Sequence, residues 1–371
     1  VFALDSSGNY LASGSFDRSA ALRRVNLESA NSAQSKEELS TEEEKDDESV
    51  TSILGTLPEH TGWVRGVRIV GDSGSSGREE ENDPFLLSIG CNLINVWECP
   101  HGEPTRRLAR LDAGPSPGDP SDESFRRHDI LCLAVSHSNV GGLEDGASHI
   151  VAGLVDGTLR AFEGRWGSWR ERANGNDSGN EYGSRSLYDA TGSCSPFEGV
   201  EDDFPVAAIK AHEGRVTGVH ALPGTDGSDF VSVGYDGRWC HWRLANAGEG
   251  EASFSLLADG SIQPDCGNDE AKANDHRISS STLIPCIASP LNDSVTSELV
   301  VGTNGGEIYG IPMNEDEKVC VPRKVYCEEN GDASITALSS ALWNEGRRNE
   351  GDGADLSLVA GTSSGMLHVF T

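Results

Sequence analysis

The sequence predicts an all-β protein made of six copies of one small antiparallel sheet. Three observations support this prediction: one strand pattern recurs six times, tight turns separate the two central strands of each copy, and glycine is abundant, with 44 in 371 residues. Each copy has an apolar strand, a strand ending in small residues, a short turn and a further strand. Asp-Gly turns between β-rich runs are a strong hairpin signal, and repeated four-stranded units are the sequence mark of a β-propeller.

The six copies can be placed along the chain. Their first strands are expected at 1–4, 64–70, 130–135, 216–222, 283–288 and 335–339, and their central turns at Asp17, Asn92, Asp156, Asp236, Gly305 and Ser364. Outer strands are expected at 52–56, 105–111, 206–210, 252–257 and 318–326. The chain starts within a strand at Val1, without an initiator methionine, and stops after a third strand at Thr371. We therefore expect incomplete first and last blades, in a fragment of a longer chain.

The copies are spaced more widely than a propeller requires. Successive turns are 59 to 80 residues apart, whereas a propeller repeat needs only about 40–45. The surplus lies in polar segments rich in Gly, Ser, Asn, Asp and Glu, at 28–49, 71–83, 112–127, 170–203, 259–279 and 344–354. Such segments cannot offset the entropy of ordering, so we expect disordered loops. The prediction is a single propeller domain over 1–371 with six long, mostly acidic insertions.

The charge of the chain argues against several classes of partner. The formal net charge is −31, from 60 acidic and 29 basic residues. A surface this negative repels phosphate backbones and anionic lipids, so we expect neither direct nucleic-acid binding nor membrane binding. The nine cysteines form no CxxC pair, which favours a reducing compartment, cytoplasmic or nuclear. Zinc, calcium, P-loop and dinucleotide patterns do not occur, so no cofactor, metal or small-molecule substrate is expected.

Two stretches of the chain open in the same way and carry a family resemblance. His60-Thr-Gly-Trp-Val and His212-Glu-Gly-Arg-Val each place a histidine four residues before an apolar strand residue. The second stretch is followed by Ser232, Asp236 and Trp242 in successive strands and their turn. This arrangement resembles the WD40-repeat β-propeller superfamily, in which His, Ser or Thr, Asp and Trp form a buried hydrogen-bonded tetrad. The resemblance implies a complete tetrad of His212, Ser232, Asp236 and Trp242.

Three other copies have partial tetrads. The second copy has His60, Ser88 and Trp97, with Asn92 near the Asp position; the first has Ser13 and Asp17, with Arg23 where Trp is expected; the third has His128 and Asp156, with Phe162 in place of Trp. A buried histidine needs both ring nitrogens satisfied, and the other members can do this. No G-x-S-x-G nucleophile elbow is present. We therefore interpret these residues as structural and expect no catalytic residues.

Five other residues have no evident structural role. Phe16 and Tyr235 immediately precede the Asp of a turn, Trp63 and Arg215 immediately precede a first strand, and Arg65 lies one residue into it. Aromatic residues and arginines on an exposed rim have the composition of binding hot spots. The resemblance implies that partner peptides bind the narrow face on which these turns open. The alternative is that these side chains only cover the tetrads.

The predicted function is a noncatalytic scaffold or adaptor that binds other proteins in a multiprotein complex. One alternative is a substrate receptor of a cullin-type ubiquitin ligase, but such receptors usually carry Trp-Asp-x-Arg at a blade end. Here Trp97-Glu98 and Trp242-Arg243 depart from that pattern. A second alternative is a propeller enzyme with a site in the central channel. It would need converging acids, bases or metal ligands on first strands, and those at 64–70, 130–135 and 216–222 are nearly all apolar.

Overall fold

The computed structural model confirms the all-β class and the six-bladed propeller fold. It describes residues 3–7, 10–25, 51–57, 60, 62–70, 84–98, 106–114, 129–136, 148–173, 202–203, 205–223, 225, 227–245, 252–262, 276–285, 297–313, 321–327, 333–343 and 355–370. The chain divides into two compact units. The first comprises residues 1–130, 140–146 and 165–205, and the second comprises 131–139, 147–164 and 206–371.

The first unit holds two blades and one helix. Blade 1 has the strand order β1 (Ala3–Ser7), β2 (Tyr10–Gly14), β3 (Ala20–Val25) and β4 (Thr51–Leu57). Blade 2 contains β5 (Val64–Val70), β6 (Phe85–Gly90), β7 (Leu93–Glu98) and β8 (Arg106–Asp112) in sequence order. A fifth strand, β12 (Asp202–Asp203), pairs in parallel with β8, whereas all other neighbours in these sheets are antiparallel.

The second unit holds the other four sheets. Blade 3 has β9 (Ile130–Ser136), β10 (Ser148–Leu154), β11 (Thr158–Gly164) and β13 (Ala207–Lys210). Blade 4 has β14 (Val216–Ala221), β15 (Asp229–Gly234), β16 (Arg238–Ala245) and β17 (Ser253–Ser261). Blade 5 has β18 (Ile278–Pro285), β19 (Ser297–Thr303), β20 (Glu307–Met313) and β21 (Arg323–Cys327). Blade 6 has β22 (Ile335–Trp343), β23 (Asp355–Thr362) and β24 (Leu367–Phe370).

Apolar side chains fill the spaces between consecutive blades of the same unit. In the first unit, Leu22 of blade 1 belongs to the same cluster as Trp97 of blade 2. In the second unit, Trp242 of blade 4 packs in one cluster with residues of blade 3, and Trp239 packs in another with residues of blade 5. A further cluster joins blades 5 and 6 around Ile335. Burial of these facing apolar surfaces is the main stabilising contribution to a stack of sheets.

The first strands of four blades share a β-bulge. Each begins with a fully buried β-branched residue, and the pairing register shifts immediately after it; these residues are Val64, Val216, Ile278 and Ile335. A bulge leaves one extra residue unpaired on the bulged strand. In three blades this extra residue is a Ser or Thr whose hydroxyl donates to a carbonyl of the second strand: Thr217 to Val233, Ser279 to Gly302 and Thr336 to Gly361. In blade 2 it is Arg65.

The turns between second and third strands also repeat. Four of them place a glycine at positive φ: Gly157 (84°), Gly237 (77°), Gly306 (77°) and Gly365 (84°). Blades 1 and 2 use Arg18 (71°) and Cys91 (56°) in this left-handed region, which costs a non-glycine residue about 1–2 kcal/mol. The turn aspartates cap the backbone two residues on. Asp17, Asp156 and Asp236 accept from the N–H groups of Ser19, Thr158 and Arg238 at 2.9–3.1 Å.

The structure corrects the predicted first strand of blade 5. It runs over Ile278–Pro285 instead of 283–288. Ile278 is fully buried and starts the strand as Val64 and Val216 do, so the repeat includes the polar run Ser-Ser-Ser-Thr that follows it. The prediction followed the later apolar residues and missed this polar strand.

The structure also corrects the completeness of the blades. Blade 1, predicted to be incomplete, has four strands because β4 pairs with β3. Among the described residues, blade 6 has three strands, as expected, and blade 2 has five. Apart from a few residues at their ends, the six predicted insertions lie outside the described residues.

Regular structure extends into segments predicted to be disordered. Helix α1 (Trp166–Ala173) begins before the insertion at 170–203 and ends inside it, β12 lies at the other end of that insertion, and β17 continues two residues beyond 259. In α1, Trp166 and Trp169 are buried, and the Trp166 ring lies 5.0 Å from that of Phe85. Trp169 donates from Nε1 to Asp203 of β12 at 2.6 Å. Both tryptophans precede the segment predicted to be disordered, and their apolar area holds α1 on blade 2.

Candidate functional site

The complete tetrad of blade 4 forms a buried chain of hydrogen bonds. Trp242 donates from Nε1 to the Ser232 hydroxyl at 2.9 Å, Ser232 lies 2.8 Å from His212 Nε2, and His212 Nδ1 lies 3.1 Å from Asp236. The direction follows from chemistry, since the indole can only donate and the carboxylate can only accept. The serine proton therefore goes to Nε2, and the Nδ1 proton goes to Asp236. Ser232 is fully buried and its oxygen is committed on both sides, so it cannot meet a substrate.

Asp236 holds the turn and the preceding loop together. Besides His212, it accepts from the backbone N–H groups of Glu213 and Arg238 at 3.0 and 3.1 Å. Burial raises the pKa of Asp236, but these hydrogen bonds and the interaction with His212 outweigh it, so the pKa lies below its usual value. The carboxylate is therefore ionised and structural.

Removal of the side chain of His212 or Asp236 from this network should destabilise the protein. We expect His212→Ala or Asp236→Ala to cost about 1–3 kcal/mol of unfolding free energy, because each leaves buried polar partners unpaired. Chemical denaturation followed by tryptophan fluorescence measures this cost. Glu213→Ala is the matched control, since Glu213 is exposed and contributes only its backbone N–H to the network. Variants as stable as the control would show that the network does not contribute to folding.

Blade 2 has a three-residue version of the network. His60 Nε2 lies 2.7 Å from the Ser88 hydroxyl, which accepts from Trp97 Nε1 at 2.8 Å. Asn92, predicted near the Asp position, bonds Asp112 at 2.8 Å instead. Burial, with a smaller contribution from the nearby charge of Arg107, lowers the pKa of His60 to about 4. His60 is therefore neutral at physiological pH.

The other predicted tetrad residues are not joined in this way. Ser13 lies on β2 opposite Leu4 and Ala21. Asp17 caps its own turn through the backbone and hydroxyl of Ser19, and Asp156 does the same with Thr158. His128 lies outside the described residues.

The predicted binding residues of the first unit form one group, which we call the aromatic cluster: Phe16, Trp63 and Arg65. The rings of Phe16 and Trp63 lie 4.4 Å apart at 31°, and the Arg65 guanidinium lies 5.6 Å from the Trp63 ring centre. Phe16 is 57% exposed and Trp63 42% exposed. Arg65 also pairs with Asp129 at 3.4 Å, so part of its charge is neutralised within the protein. Two large aromatic faces thus meet the solvent together.

The predicted binding residues of the second unit, Arg215 and Tyr235, group with Arg277 and Asn304, and we call these four residues the tyrosine–arginine cluster. The guanidinium groups of Arg215 and Arg277 lie 4.3 and 4.9 Å from the Tyr235 ring centre. The Tyr235 hydroxyl oxygen accepts from Arg277 at 3.3 Å and from Asn304 at 3.0 Å. The hydrogen bond from Arg277 is the main cause of a lowered Tyr235 pKa.

Sequence reasoning missed Arg277 and Asn304, although a signal was present. Arg277 immediately precedes the buried first residue Ile278, just as Arg215 precedes Val216 and Trp63 precedes Val64. The misplaced first strand of blade 5 concealed this equivalence.

The alternatives named from sequence can be compared with the geometry. Glu98, which follows Trp97, is buried and paired with Arg106 at 2.6 Å and Arg170 at 2.5 Å. Arg243, which follows Trp242, forms a bidentate pair with Asp229 at 2.8 Å. Both departures from the Trp-Asp-x-Arg pattern are thus engaged in ion pairs within the chain.

The first strand of blade 5 is more polar than expected, because it starts at Ile278 and includes Ser279, Ser280 and Ser281. His220 on β14 lies 2.8 Å from the Ser281 hydroxyl on β18.

Neither a cluster of metal ligands nor a membrane-spanning helix occurs within the described ranges. No three His, Cys, Asp or Glu side chains of these ranges lie close enough together to bind a metal ion. In the same ranges, no helix is both long and apolar enough to cross a bilayer.

Comparison with known proteins identifies the fold. No protein-family model matches the sequence, and no curated protein is significantly similar to it. The structure of Sqt1 from Chaetomium thermophilum, bound to the N-terminus of ribosomal protein L10, is 13% identical over 99% of this chain and 71% of that chain, with a TM-score of 0.52. The β-propeller domain of Cps50 (Swd1) from Myceliophteria thermophila is 11% identical over 99% and 81%, with a TM-score of 0.53. This chain therefore has the fold of the WD40-type β-propellers.

Proposed function

We propose that this protein is a noncatalytic scaffold that binds other proteins through the aromatic cluster and the tyrosine–arginine cluster. The observation that carries the proposal is the exposed pair of aromatic rings in contact, Phe16 and Trp63. Large aromatic residues next to arginines are the residues that dominate binding energy at protein interfaces. Sqt1, a protein of similar fold, binds the N-terminus of a ribosomal protein. This supports a peptide segment as the kind of partner.

The blade repeat supports a binding role for Arg65. At the same bulge position, Thr217, Ser279 and Thr336 donate a hydroxyl hydrogen bond to a neighbouring strand carbonyl. Arg65 instead extends beside the Trp63 ring and so lacks the hydroxyl hydrogen bond that the other three blades have at this position. Functional sites are places where a residue is expected to differ from the type that local structure favours.

The turn beside the aromatic cluster shows a second departure. Arg18 adopts a φ of 71°, whereas four of the other five blades have glycine at this step of the turn. Backbone strain held by a residue that glycine could replace is associated with functional sites. Phe16, which lies two residues before Arg18, is thus presented on a turn that is not optimised for stability alone.

Truncation of the exposed rings should weaken partner binding without unfolding the protein. We expect Phe16→Ala or Trp63→Ala to cost about 1–4 kcal/mol of partner affinity, since each removes a hot-spot side chain. Affinity capture from the native source with quantitative mass spectrometry identifies the partners, and calorimetry with the purified partner gives the affinity. Arg65→Ala should act in the same direction, with a smaller loss.

Leu256→Ala is the matched control, because Leu256 is an exposed apolar residue (49%) on the outer strand β17. Circular dichroism confirms that each variant is folded. The proposal fails if the folded Phe16 and Trp63 variants retain every partner of the parent protein with unchanged affinity.

A further inference from the structure

The hydroxyl group of Tyr235 has a proton to donate and both of its lone pairs already in use. Its oxygen accepts from Arg277 Nη1 and Asn304 Nδ2, and a phenol oxygen has two acceptor positions. Within the part of the chain that the structure describes, no acceptor receives the Tyr235 O–H. The half-buried side chain therefore presents a hydrogen-bond donor whose partner must come from outside the described residues.

The groups around this donor are positively charged. Arg215 is exposed and forms no ion pair with any described residue, and Arg277 is also exposed. Asp236, the adjacent carboxylate in sequence, is saturated by His212 and by two backbone N–H groups. Two guanidinium groups and one hydroxyl donor thus occupy one small area of a protein whose net charge is −31.

We infer that the tyrosine–arginine cluster recognises the phosphate group of a phosphorylated residue in a partner segment. Arg215, which pairs with no described carboxylate, supplies positive charge to a phosphate monoester, whose own charge is close to −2 at neutral pH. Arginine donates to phosphate oxygens in a bidentate manner, and the Tyr235 hydroxyl supplies a further charge-assisted hydrogen bond. The inference rests on the proposed function, because a protein partner would carry the phosphorylated residue.

The acidic character of the chain adds a second requirement to this site. Its long-range field repels anions, so a phosphorylated segment with basic residues on either side is favoured over a wholly acidic one. The attraction of the flanking basic residues and the local pairing of the phosphate then act together. The expected ligand is a phosphorylated residue within a basic segment.

Immobilised degenerate peptide libraries test the inference with defined probes. In three otherwise identical libraries, the fixed central residue is phosphorylated (an equal mixture of phosphoserine, phosphothreonine and phosphotyrosine), glutamate, or serine. We expect the intact protein to be retained by the phosphorylated library alone, with selection of Lys and Arg at the flanking positions. Inorganic phosphate at high concentration should release it.

Three variants assign this binding to the cluster. Arg215→Gln and Arg277→Gln should each weaken retention about tenfold or more, because each removes a charged hydrogen-bond donor. Tyr235→Phe keeps the ring between the arginines but removes the donor, and we expect a smaller loss of about three- to tenfold. Arg323→Gln is the matched control for charge, since exposed Arg323 on β21 pairs with Glu298 in the same unit. Melting temperatures verify that the variants are folded.

Retention by the glutamate library as strong as by the phosphorylated one would overturn the inference in favour of an acidic-segment site. Equal binding of all three libraries, no binding of any, or phosphate-specific binding that survives both arginine substitutions would overturn it as well. None of these outcomes changes the capture experiment with Phe16→Ala and Trp63→Ala. Failure of the phosphate inference is therefore distinguishable from failure of the scaffold function.

Discussion

Gly157→Ala should be among the most destabilising single substitutions in the second unit. A β-carbon at this position would lie 2.1 Å from the carbonyl oxygen of His212 and 2.5 Å from that of Gly214, and the φ of +84° disfavours any L-residue. The Gly157 carbonyl also accepts from the backbone N–H groups of Ala211 and His212, both at 3.0 Å. We expect a loss of about 3 kcal/mol of unfolding free energy, from left-handed strain together with the displaced loop.

Gly365→Ala separates the cost of backbone strain from the cost of displacing the loop. Gly365 has the same φ of +84°, but a β-carbon there would meet nothing within 4 Å. This control should therefore cost only about 1–2 kcal/mol, the conformational penalty alone. Equilibrium denaturation in urea measures both variants. If the two substitutions cost the same, the close approach of Gly157 to the loop that carries His212 is not present in solution.

Acid should destabilise the protein through His60. The buried imidazole has a pKa of about 4 in the folded state, against an ordinary value of 6.5. A folded-state pKa below the unfolded-state value means that protonation favours the unfolded chain. The contribution of His60 is therefore fully present above pH 6.5, is lost as the pH falls from 6.5 towards 4, and is constant below that. The loss amounts to about 3 kcal/mol.

The variant His60→Gln tests this dependence directly. It lacks the titrating ring, so its stability should fall by about 2–3 kcal/mol less than that of the parent protein between neutral pH and about pH 4. Urea denaturation at a series of pH values gives both curves. Parallel curves would contradict a buried, neutral His60. The test compares how the unfolding free energy of each protein changes with pH. The variant also loses the hydrogen bond between His60 and Ser88, but this loss is the same at every pH and does not change the slope.

The regular features of the fold could be predicted from the sequence because they depend on local chemistry. The Asp-Gly steps at Gly157 and Gly237 adopt the left-handed turns that only glycine accepts freely. The opening His212-Glu-Gly-Arg, followed by Ser232 and Trp242, brings together the members of a hydrogen-bonded network from one loop and two strands. These residue types have few other low-energy backbone conformations or hydrogen-bond partners, so their local structure can be predicted from the sequence.

The features that were missed depend on contacts between distant residues. The strand that starts at Ile278 carries three serines and a threonine, and its hydrophobicity does not distinguish it from a loop. It is a strand because it pairs with β19 and because Ile278 is buried with residues of both blade 4 and blade 5. Helix α1 likewise depends on the packing of Trp166 against Phe85, 81 positions earlier in the chain.

The candidate site was predictable in part for the same reason. Phe16, Trp63, Arg215 and Tyr235 stood out because aromatic residues and arginines are unusual in turns of an acidic, glycine-rich chain. Their partners could not be read from the order of residues, since Arg277 is 42 positions from the tyrosine that it contacts. This contact can be predicted only after the strands have been assigned correctly to consecutive blades.

The short strand β12 has a consequence for colloidal behaviour. The outermost strand of a sheet exposes unpaired N–H and C=O groups, and these can template edge-to-edge association between molecules. In blade 2, β12 pairs with the edge strand β8 over two residues: Asp202 with Arg110, and Asp203 with Leu111. Asp203 is anchored there by Trp169 and Arg172. The insertion predicted to be a disordered loop thus covers part of the β8 edge, which leaves fewer backbone groups of β8 open to edge-to-edge association.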